Sequence, residues 1–435
     1  MASGTLASRL TGQGRTILLA AALGVTGVAA NAYQVGGQIP HVIFNLIEGG
    51  LLNAVLVPQI VRAFKKKSPS ETINKILTLA LFSCLAVTAL VMICSPLLID
   101  LYIDPGWSEA QKALANAFTL WCVPQILFYG AYSVVGQILA SQDNFTAYAW
   151  SSVAANIVSC IGYGLFFAVF GNAEKQGVDF WNQGKIALTA GMWSLGVLVQ
   201  ALLLFIPLRK IGIKPRIKFG IKGIGLKSMG KVAAWTLASI LIDQGVGVVN
   251  TRVETTAPLA AGNRLMTAGA SAYAQAFQIW ILPYSLITVS IATAVFPAIS
   301  RAVQDRKNGE MREHLANCLK QTGVIMLFFV GCFIAMPVPI VRALLPTVNT
   351  FDANLLAAPL LALAFNLIPT SVTLLLNRVF YAYEDGRWPF LLTTFQNAVQ
   401  MAVLFAGLHF IAPSYWDMWI AASITISNIV LMPLS

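Results

Sequence analysis

The chain has 435 residues, of which 57% are hydrophobic and 10% are charged, and its mean hydropathy is +0.73. Apolar runs recur from end to end, which excludes an ordinary soluble domain. The net charge of +11 does not indicate nucleic acid, because the Lys and Arg residues lie in short loops between apolar spans and not on one aromatic face. The sequence therefore predicts an all-α polytopic membrane protein.

The cysteines give no sign of a metal or cofactor site. All six stand singly, without a C-x-x-C pair or a histidine at metal-binding spacing, which is typical of small buried side chains. We expect no cofactor, no metal and no nucleic-acid partner. The polar stretch 1–15 lacks the pattern of a cleaved signal peptide. The apolar run 16–30 that follows is short for a span, so we expect the start of the first helix to be clipped.

Hydropathy marks about twelve spans, each long enough to supply the roughly 20 residues that cross a bilayer. Nineteen of the 28 Lys and Arg residues lie in loops that follow even-numbered spans, which places the N-terminus in the cytoplasm by the positive-inside rule. The seventh span is predicted at 230–254, with Arg252 and Glu254 counted among the charges of the following loop. We predict an N-terminal lobe at 1–208, a basic cytoplasmic linker at 209–231 and a C-terminal lobe at 232–435.

Two short elements recur at nearly the same offset. Segment 57–63 (VPQIVRA) resembles 296–302 (FPAISRA), 239 residues later, and 137–144 (QILASQDN) resembles 378–386 (RVFYAYEDG), about 241 residues later. Six spans separate each element from its copy, so both copies keep one orientation in the membrane. We therefore predict two six-helix lobes related by a parallel repeat, as in transporters. Pro58 and Pro297 are matching gating or packing positions.

The linker 209–231 is basic and glycine-spaced, with apolar residues at intervals. We expect a surface segment with an amphipathic element on the anionic inner leaflet. Direct contact with a substrate is the alternative.

Two arginines on the first helix are candidates for ligand binding. Arg9 and Arg15 lie six residues apart, nearly on opposite sides of a regular helix unless it bends at Gly12 and Gly14. Buried arginines without acidic neighbours favour an anionic ligand, because the guanidinium group pairs with phosphate through two hydrogen bonds. The alternative is that both lie at the cytoplasmic interface with their charged ends in the head groups.

The second helix adds a polar series at spacings of three and four, which places it on one face and is typical of a hydrated groove. We predict that this series binds the substrate together with the arginines; its members are Asn31, Gln34, Gln38, His41 and Asn45. Glu48, Gly49 and Gly50 interrupt the following apolar run, and we predict a packing or gating role for them. Asp243 and Arg378 are the other intramembrane charges, each either in an ion pair or a ligand.

Several motifs run in order along the whole chain: 8–12 (SRLTG) with Arg15, the second helix with Pro40 and 48–50, the segment 293–297 (TAVFP), and 378–389 with its RVFYA start. In combination they resemble the MurJ (MviN) family of lipid II flippases, in particular its actinobacterial branch. The resemblance implies the multidrug/oligosaccharidyl-lipid/polysaccharide exporter fold, with two lobes around a central cavity that move lipid II outward by alternating access.

The family also implies about fourteen helices, so we expect the chain to be truncated and to lack the last two. A missing C-terminal tail is the expected contact for cell-wall synthesis or regulatory proteins. The resemblance implies lipid II, an undecaprenyl-diphosphate-linked disaccharide pentapeptide, and membrane lipids as partners, and the bacterial plasma membrane as the location.

The resemblance carries over only some of the family's site residues. Arg9 and Arg15 match the two arginines of the first helix that the family uses toward the anionic head group. Asn31 stands where an acidic residue is often found, the arginine of the second helix is replaced in the Phe44–Asn45 region, and that of the eighth helix falls near Gln275–Ala276.

The main alternative is a cation-coupled multidrug or polysaccharide-lipid exporter of the same superfamily. Such a protein needs a carboxylate at its coupling site, and Glu48 and Asp243 are the candidates. A membrane enzyme such as a glycosyltransferase is disfavoured, because the sequence has no D-x-D pair and no clustered metal ligands. We therefore predict no enzymatic activity; a regulatory scaffold is a third possibility.

Overall fold

The structure is a computed structural model, and it describes residues 2–49, 52, 57–64, 69–142, 144, 146–220, 231–263 and 265–434. All regular secondary structure in these residues is helical, which confirms the all-α prediction. The chain divides into two compact units, unit 1 (Met1–Leu237) and unit 2 (Ala238–Ser435). Gly50, one of the predicted gating or packing residues, lies outside the described residues.

Seven helices of the described chain are long and apolar enough to cross a membrane, or eight if the bent pair Thr350–Ala364 and Leu367–Ala382 forms one span. This confirms a multi-pass membrane protein, while the count of about twelve stays a prediction. Other long helices fall short because they carry polar side chains. The helix Lys231–Ala260, for example, contains Asp243, Arg252 and Glu254 as well as its first lysine.

Unit 1 is a bundle whose helices are α1 (Ala2–Leu23), α2 (Gly27–Ile47), α3 (Val57–Phe64), α4 (Pro69–Tyr102), α5 (Glu109–Cys122), α6 (Gln125–Ala140), α7 (Thr146–Phe170), α8 (Gln183–Ile186) and α9 (Met192–Lys210). A π turn at Ala187–Gly191 joins α8 to α9. Helix α7 packs against both α1 and α9, and α2 packs against α5. The core under α3 is aliphatic, with Ile60, Ile73, Ile138 and Leu208 all nearly inaccessible.

The corner between α1 and α2 is closed by a distant loop. Gly24 and Gly27 both have positive φ values, +79° and +83°, which an L side chain rarely adopts. Between them, the Glu174 carboxylate accepts hydrogen bonds from the amides of Val25 and Thr26 at 3.0 and 3.1 Å and from the Thr26 hydroxyl at 3.0 Å. Glu174 thus satisfies amides at the start of α2 that have no partner within the helix.

Unit 2 begins within α10 (Lys231–Ala260) and continues through α11 (Ala270–Pro283), α12 (Val289–Gln304), α13 (Asn308–Ala335), α14 (Pro337–Leu344), α15 (Thr350–Ala364), α16 (Leu367–Ala382), α17 (Arg387–Leu408) and α18 (Trp416–Leu431). A π turn at Tyr284–Thr288 makes α11 and α12 one long helix. The end of α10 packs through Val253 against Leu404 of α17 and Ile420 of α18. Arg252 and Glu254 therefore lie inside α10, and their predicted place in the following loop is wrong.

The repeated segments have the same pattern of burial in both units. Ile60 and Ile299 are each 1% exposed, Ala63 and Ala302 are buried, and the arginines between them, Arg62 and Arg301, are both exposed. Pro58 is the second residue of the short helix α3, whereas Pro297 lies inside α12.

The second pair of repeated segments ends its helices with the same hydrogen bond. The Asn144 amide donates to the Leu139 carbonyl at 3.0 Å after α6, and the Asp385 amide donates to the Phe380 carbonyl at 3.0 Å after α16. This bond across five residues is typical of a Schellman-type helix end. Both sequence repeats therefore correspond to repeated local structure.

Candidate functional site

Arg15 of α1 lies over an aromatic cluster built from three other helices of unit 1. Its guanidinium carbon is 5.8 Å from the ring centroid of Trp193 on α9, a cation–π distance. Trp193 packs against the Tyr33 ring at 5.8 Å and against Gly37, where a Cβ would collide with the indole. The hydroxyls of Tyr33 and Tyr163 are 2.5 Å apart below it. Neighbours from α2, α7 and α9 therefore fix the position of this cation.

The rotation of α1 is set by its contact with α7. The Asn156 side-chain amide donates to the Ser8 carbonyl at 3.0 Å and to the Thr11 hydroxyl at 3.2 Å. Helix α1 is continuous, so the bend expected at the two glycines does not interrupt it. Six residues of continuous helix separate Arg9 from Arg15, about 9 Å along the axis, and both side chains are half-buried.

The polar series of α2 is not uniformly exposed. Asn31 is only 5% exposed, and its side-chain amide donates to the Gly27 carbonyl at 2.9 Å. Gln34, Gln38 and Asn45 are half-buried and His41 is exposed. The last two contact each other, with 3.2 Å between Asn45 Nδ2 and His41 Nδ1. The part of the series nearest to solvent is therefore its second half, and substrate binding by all five residues stays a prediction.

Glu48 ends this face of α2 and has a specific partner. The Ser133 hydroxyl of α6 donates to its carboxylate at 2.9 Å. Glu48 and Gly49 lie in a π turn, where the helical hydrogen bonds are wider than in α2. The gating or packing role of Glu48 and Gly49 itself stays a prediction.

The charges of unit 2 are placed differently. Asp243 on α10 accepts a 2.6 Å hydrogen bond from the side-chain amide of Asn397 on α17. The guanidinium carbon of Arg378 lies 5.5 Å from the Phe296 ring centroid, next to Pro297, which is exposed. Among the described residues, the contacts observed for Asp243 and Arg378 are therefore an amide and an aromatic ring, and the choice between an ion pair and a ligand stays a prediction.

Sequence reasoning missed two features of the interior. Glu254 and Asp417 are 5% and 2% exposed and interact electrostatically, each near Tyr273. Their neighbours in sequence, Val253 and Trp416, belong to one packed cluster. Trp193 was also missed, because an aromatic residue within a span usually indicates packing. Only the fold shows that this indole lies beneath Arg15.

These contacts determine which ligands Arg15 and the polar series of α2 can bind. Within the described chain, no carboxylate lies within ion-pair distance of Arg15. A guanidinium group that stacks on an indole with one face keeps the N–H donors in its own plane for an anion that accepts two hydrogen bonds, such as phosphate. Amide and imidazole groups of α2 add hydrogen-bond donors and acceptors. The combination suits an anionic, sugar-rich or peptide-rich head group.

A helical membrane fold with matched segments in two units defines a transporter built on an internal repeat. The sequence model of the family described as lipid II flippase MurJ matches residues 19–434, and the chain belongs to this family. A Synechocystis protein named probable lipid II flippase MurJ is 25% identical over 406 residues, which cover 91% of this chain and 72% of the relative. A Rhizobium tropici protein of the same name is 26% identical over 412 residues, covering 92% and 73%.

Solved structures show the same fold. A lipid II flippase MurJ in an inward closed conformation superposes with a TM-score of 0.75 and 22% identity, covering 99% of this chain and 85% of that one. An inward-facing multidrug resistance MATE family transporter of the MOP superfamily also gives 0.75, at 16% identity and with 98% and 93% covered. The predicted exporter fold is therefore confirmed.

Proposed function

We propose that this chain is a flippase that moves lipid II from the inner to the outer leaflet by alternating access. The observation that carries the proposal is the family match over residues 19–434. The arrangement around Arg15 supports it, because the lipid-linked precursor has a diphosphate that a guanidinium group binds well. The N-terminus then lies in the cytoplasm of the bacterial plasma membrane, as the distribution of basic loops predicts.

In this proposal the residues of unit 1 bind different parts of the head group. Arg15 binds the diphosphate, with Trp193 fixing the guanidinium plane, and Arg9 adds a second positive charge on the same helix. Gln34, Gln38, His41 and Asn45 hydrogen-bond the sugar and peptide parts of the head group. Glu48, held by Ser133, lies at the end of this face, where a change in the π turn alters the width of the groove.

The experiment compares the wild type with the double variant Arg9→Ala, Arg15→Ala in cells depleted of their own flippase and in vesicles that contain labelled lipid II. We expect loss of growth support and at least a tenfold lower rate of lipid II translocation. Arg312→Ala, which removes an exposed cation from unit 2, is the matched control and retains both. Full support of cell-wall synthesis by the double variant would contradict the head-group role.

The second candidate is a cation-coupled exporter of a drug or a polysaccharide-linked lipid. The observation that favours it is the equal TM-score of the MATE family transporter, together with the intramembrane carboxylate Asp243. Vesicles loaded with either labelled lipid II or a labelled cationic drug separate the two candidates. Selective movement of lipid II supports the first, and selective movement of the drug overturns it. Protein partners in cell-wall synthesis stay a prediction.

A further inference from the structure

The chain leaves α9 as an extended segment that runs along α4, and we call residues 211–220 the basic strap. The side chain of Asn74 holds its first half: its amide donates to the Lys214 carbonyl and its oxygen accepts from the Arg216 amide, both at 3.1 Å. The Thr78 hydroxyl then accepts from the Lys218 amide at 3.0 Å. Asn74 and Thr78 are 3% and 5% exposed. The backbone of the strap is therefore fixed by two buried polar side chains.

The strap runs along α4 from Asn74 toward Phe82. Asn74, Thr78 and Phe82 follow one another by four residues and so lie one above the other on α4. The Phe219 ring meets the Phe82 ring at 5.0 Å between centroids. The four residue-to-residue steps from 215 to 219 span about 13 Å in an extended chain, close to the roughly 12 Å from Asn74 to Phe82 along the helix. The strap thus runs parallel to α4, from its N-terminal end toward its apolar middle.

Because the strap is held through its backbone, most of its side chains are exposed. Lys214, Arg216 and Lys218 are exposed, and their hydrogen bonds to α4 come from main-chain atoms. Of their cationic ends, that of Lys218 lies near Glu71 of α4. Ile217 and Phe219 are each 71% exposed. A single extended segment therefore presents three cations interleaved with two large apolar side chains, which a purely aqueous surface does not favour.

The negative charge of Glu71 does not neutralise the cations of the strap. Glu71 is the one acid of α4 before Asp100, and it pairs with Lys75 at 3.0 Å. Lys218 lies 3.9 Å from the same carboxylate. One carboxylate therefore faces two lysines, while Lys214 and Arg216 add further positive charge on the strap.

The side of α4 beyond the strap is the kind of surface that lipid chains cover. Leu85, Ile93 and Leu97 are 47%, 79% and 73% exposed on this hydrophobic helix. Phe82 and Phe219 lie where that apolar surface begins, and the cations of the strap lie on the side toward the end of the helix. This order, cations first and aromatic rings next, is the order of head groups and acyl chains at a membrane interface.

We propose that the basic strap is a binding site for an anionic phospholipid of the bilayer, with the phosphate held by Lys214, Arg216 and Lys218. The acyl chains lie against Ile217, Phe219 and Phe82. The site is separate from the face of Arg15 and does not depend on the proposed transport of lipid II.

The test uses the full chain purified in a neutral detergent, with native mass spectrometry of bound phosphatidylglycerol and of phosphatidylcholine with the same acyl chains. The variant Lys214→Gln, Arg216→Gln keeps the backbone bonds of the strap. The matched control Arg312→Gln, Lys320→Gln removes two exposed cations from unit 2. We expect the wild type and the control to prefer phosphatidylglycerol. Near an anionic lipid surface each basic residue is worth about a factor of five, so the strap variant should bind it about twenty-five-fold more weakly.

Four further measurements test the proposal. An unchanged melting temperature without lipid shows that the strap variant is folded, and Ile217→Ser, Phe219→Ser should weaken binding of both lipids. Equal retention of the two lipids by the wild type, or equal phosphatidylglycerol binding by the strap variant and the control, overturns the proposal. So does equally strong competition by soluble glycerol phosphate, which would identify a plain anion site. Lipid II translocation is measured in parallel, and we expect it to survive in the strap variant, so the two proposals fail separately.

Discussion

The first corner of each unit is closed in a different way. In unit 1, Glu174 comes from a loop 149 residues away in sequence and accepts three hydrogen bonds at the α1–α2 corner. In unit 2, the α10–α11 connection contains a local turn, in which the Asn263 side chain accepts from the amides of Leu265 and Met266 at 3.3 Å each. A long-range carboxylate ties the first corner, and a short-range amide shapes the second.

The charged groups of the two units also differ in their surroundings. Unit 1 presents a half-buried arginine and a polar face on α2, whereas unit 2 buries the carboxylates of Glu254 and Asp417. Both units nevertheless bury the same aliphatic residues at the repeated segments. The comparison indicates that the repeat keeps its packing contacts, while its polar groups have become specific to each half.

The largest expected effect tests the shared packing. Ile60→Ala and Ile299→Ala each remove a side chain that is 1% exposed, and each should cost roughly 2–5 kcal/mol, as truncation of buried isoleucine does. The apparent melting temperature in detergent measures both. The controls Arg62→Gln and Arg301→Gln change exposed residues and should stay within about 0.5 kcal/mol. A large loss of stability from only one of the two isoleucine substitutions would show that the segments are similar in sequence but contribute differently to stability.

The next effect tests the corners. Glu174→Ala leaves two amides and a hydroxyl at the α1–α2 corner without this acceptor, and it should cost about 1–3 kcal/mol. Asn263→Ala removes two longer hydrogen bonds in an exposed turn, and we expect about 0.5 kcal/mol. Hydrogen exchange at Val25 and Thr26 should rise only in the first variant. Equal losses of stability would remove the distinction between a long-range and a local corner.

The hydrogen-bonded carboxylate of Asp243 in unit 2 gives a third effect. Asn397→Ala removes the amide that donates to Asp243 at 2.6 Å, and hydrogen bonds to charged groups are worth about 1.5–3 kcal/mol. We expect a loss near the lower end of that range, because Asp243 is only partly buried. Asn397→Asp, which replaces the donor by a second acid, should be worse at neutral pH than at acid pH. A variant Asn397→Ala as stable as the wild type would show that Asp243 has another partner.

The sequence predicts the class of protein and its repeat because both are recorded in local patterns: apolar length, loop charge and two short similar segments. It does not predict partners that lie far apart in the chain. Nothing near Thr26 indicates Glu174, and nothing near Arg15 indicates Trp193. Spacing by three and four places Asn31 on the face of Asn45 but does not reveal that the start of that face is covered by protein. Glu254 was assigned to a loop because a charge usually marks the end of a span, whereas here it faces the protein interior, where burial of an acid is less costly than in lipid.

The smallest effect tests whether Glu48 resembles the buried acids of unit 2 or the open face of unit 1. Ser133→Ala removes the hydroxyl that donates to Glu48 at 2.9 Å, and we expect a loss of about 1 kcal/mol. Ser95→Ala is the matched control, because the buried Ser95 hydroxyl donates to the Met92 carbonyl of its own helix. If Glu48 has a gating role, Ser133→Ala changes the rate of lipid II translocation by more than its loss of stability explains, and Ser95→Ala does not. Equal translocation by the two variants would assign Glu48 to packing alone.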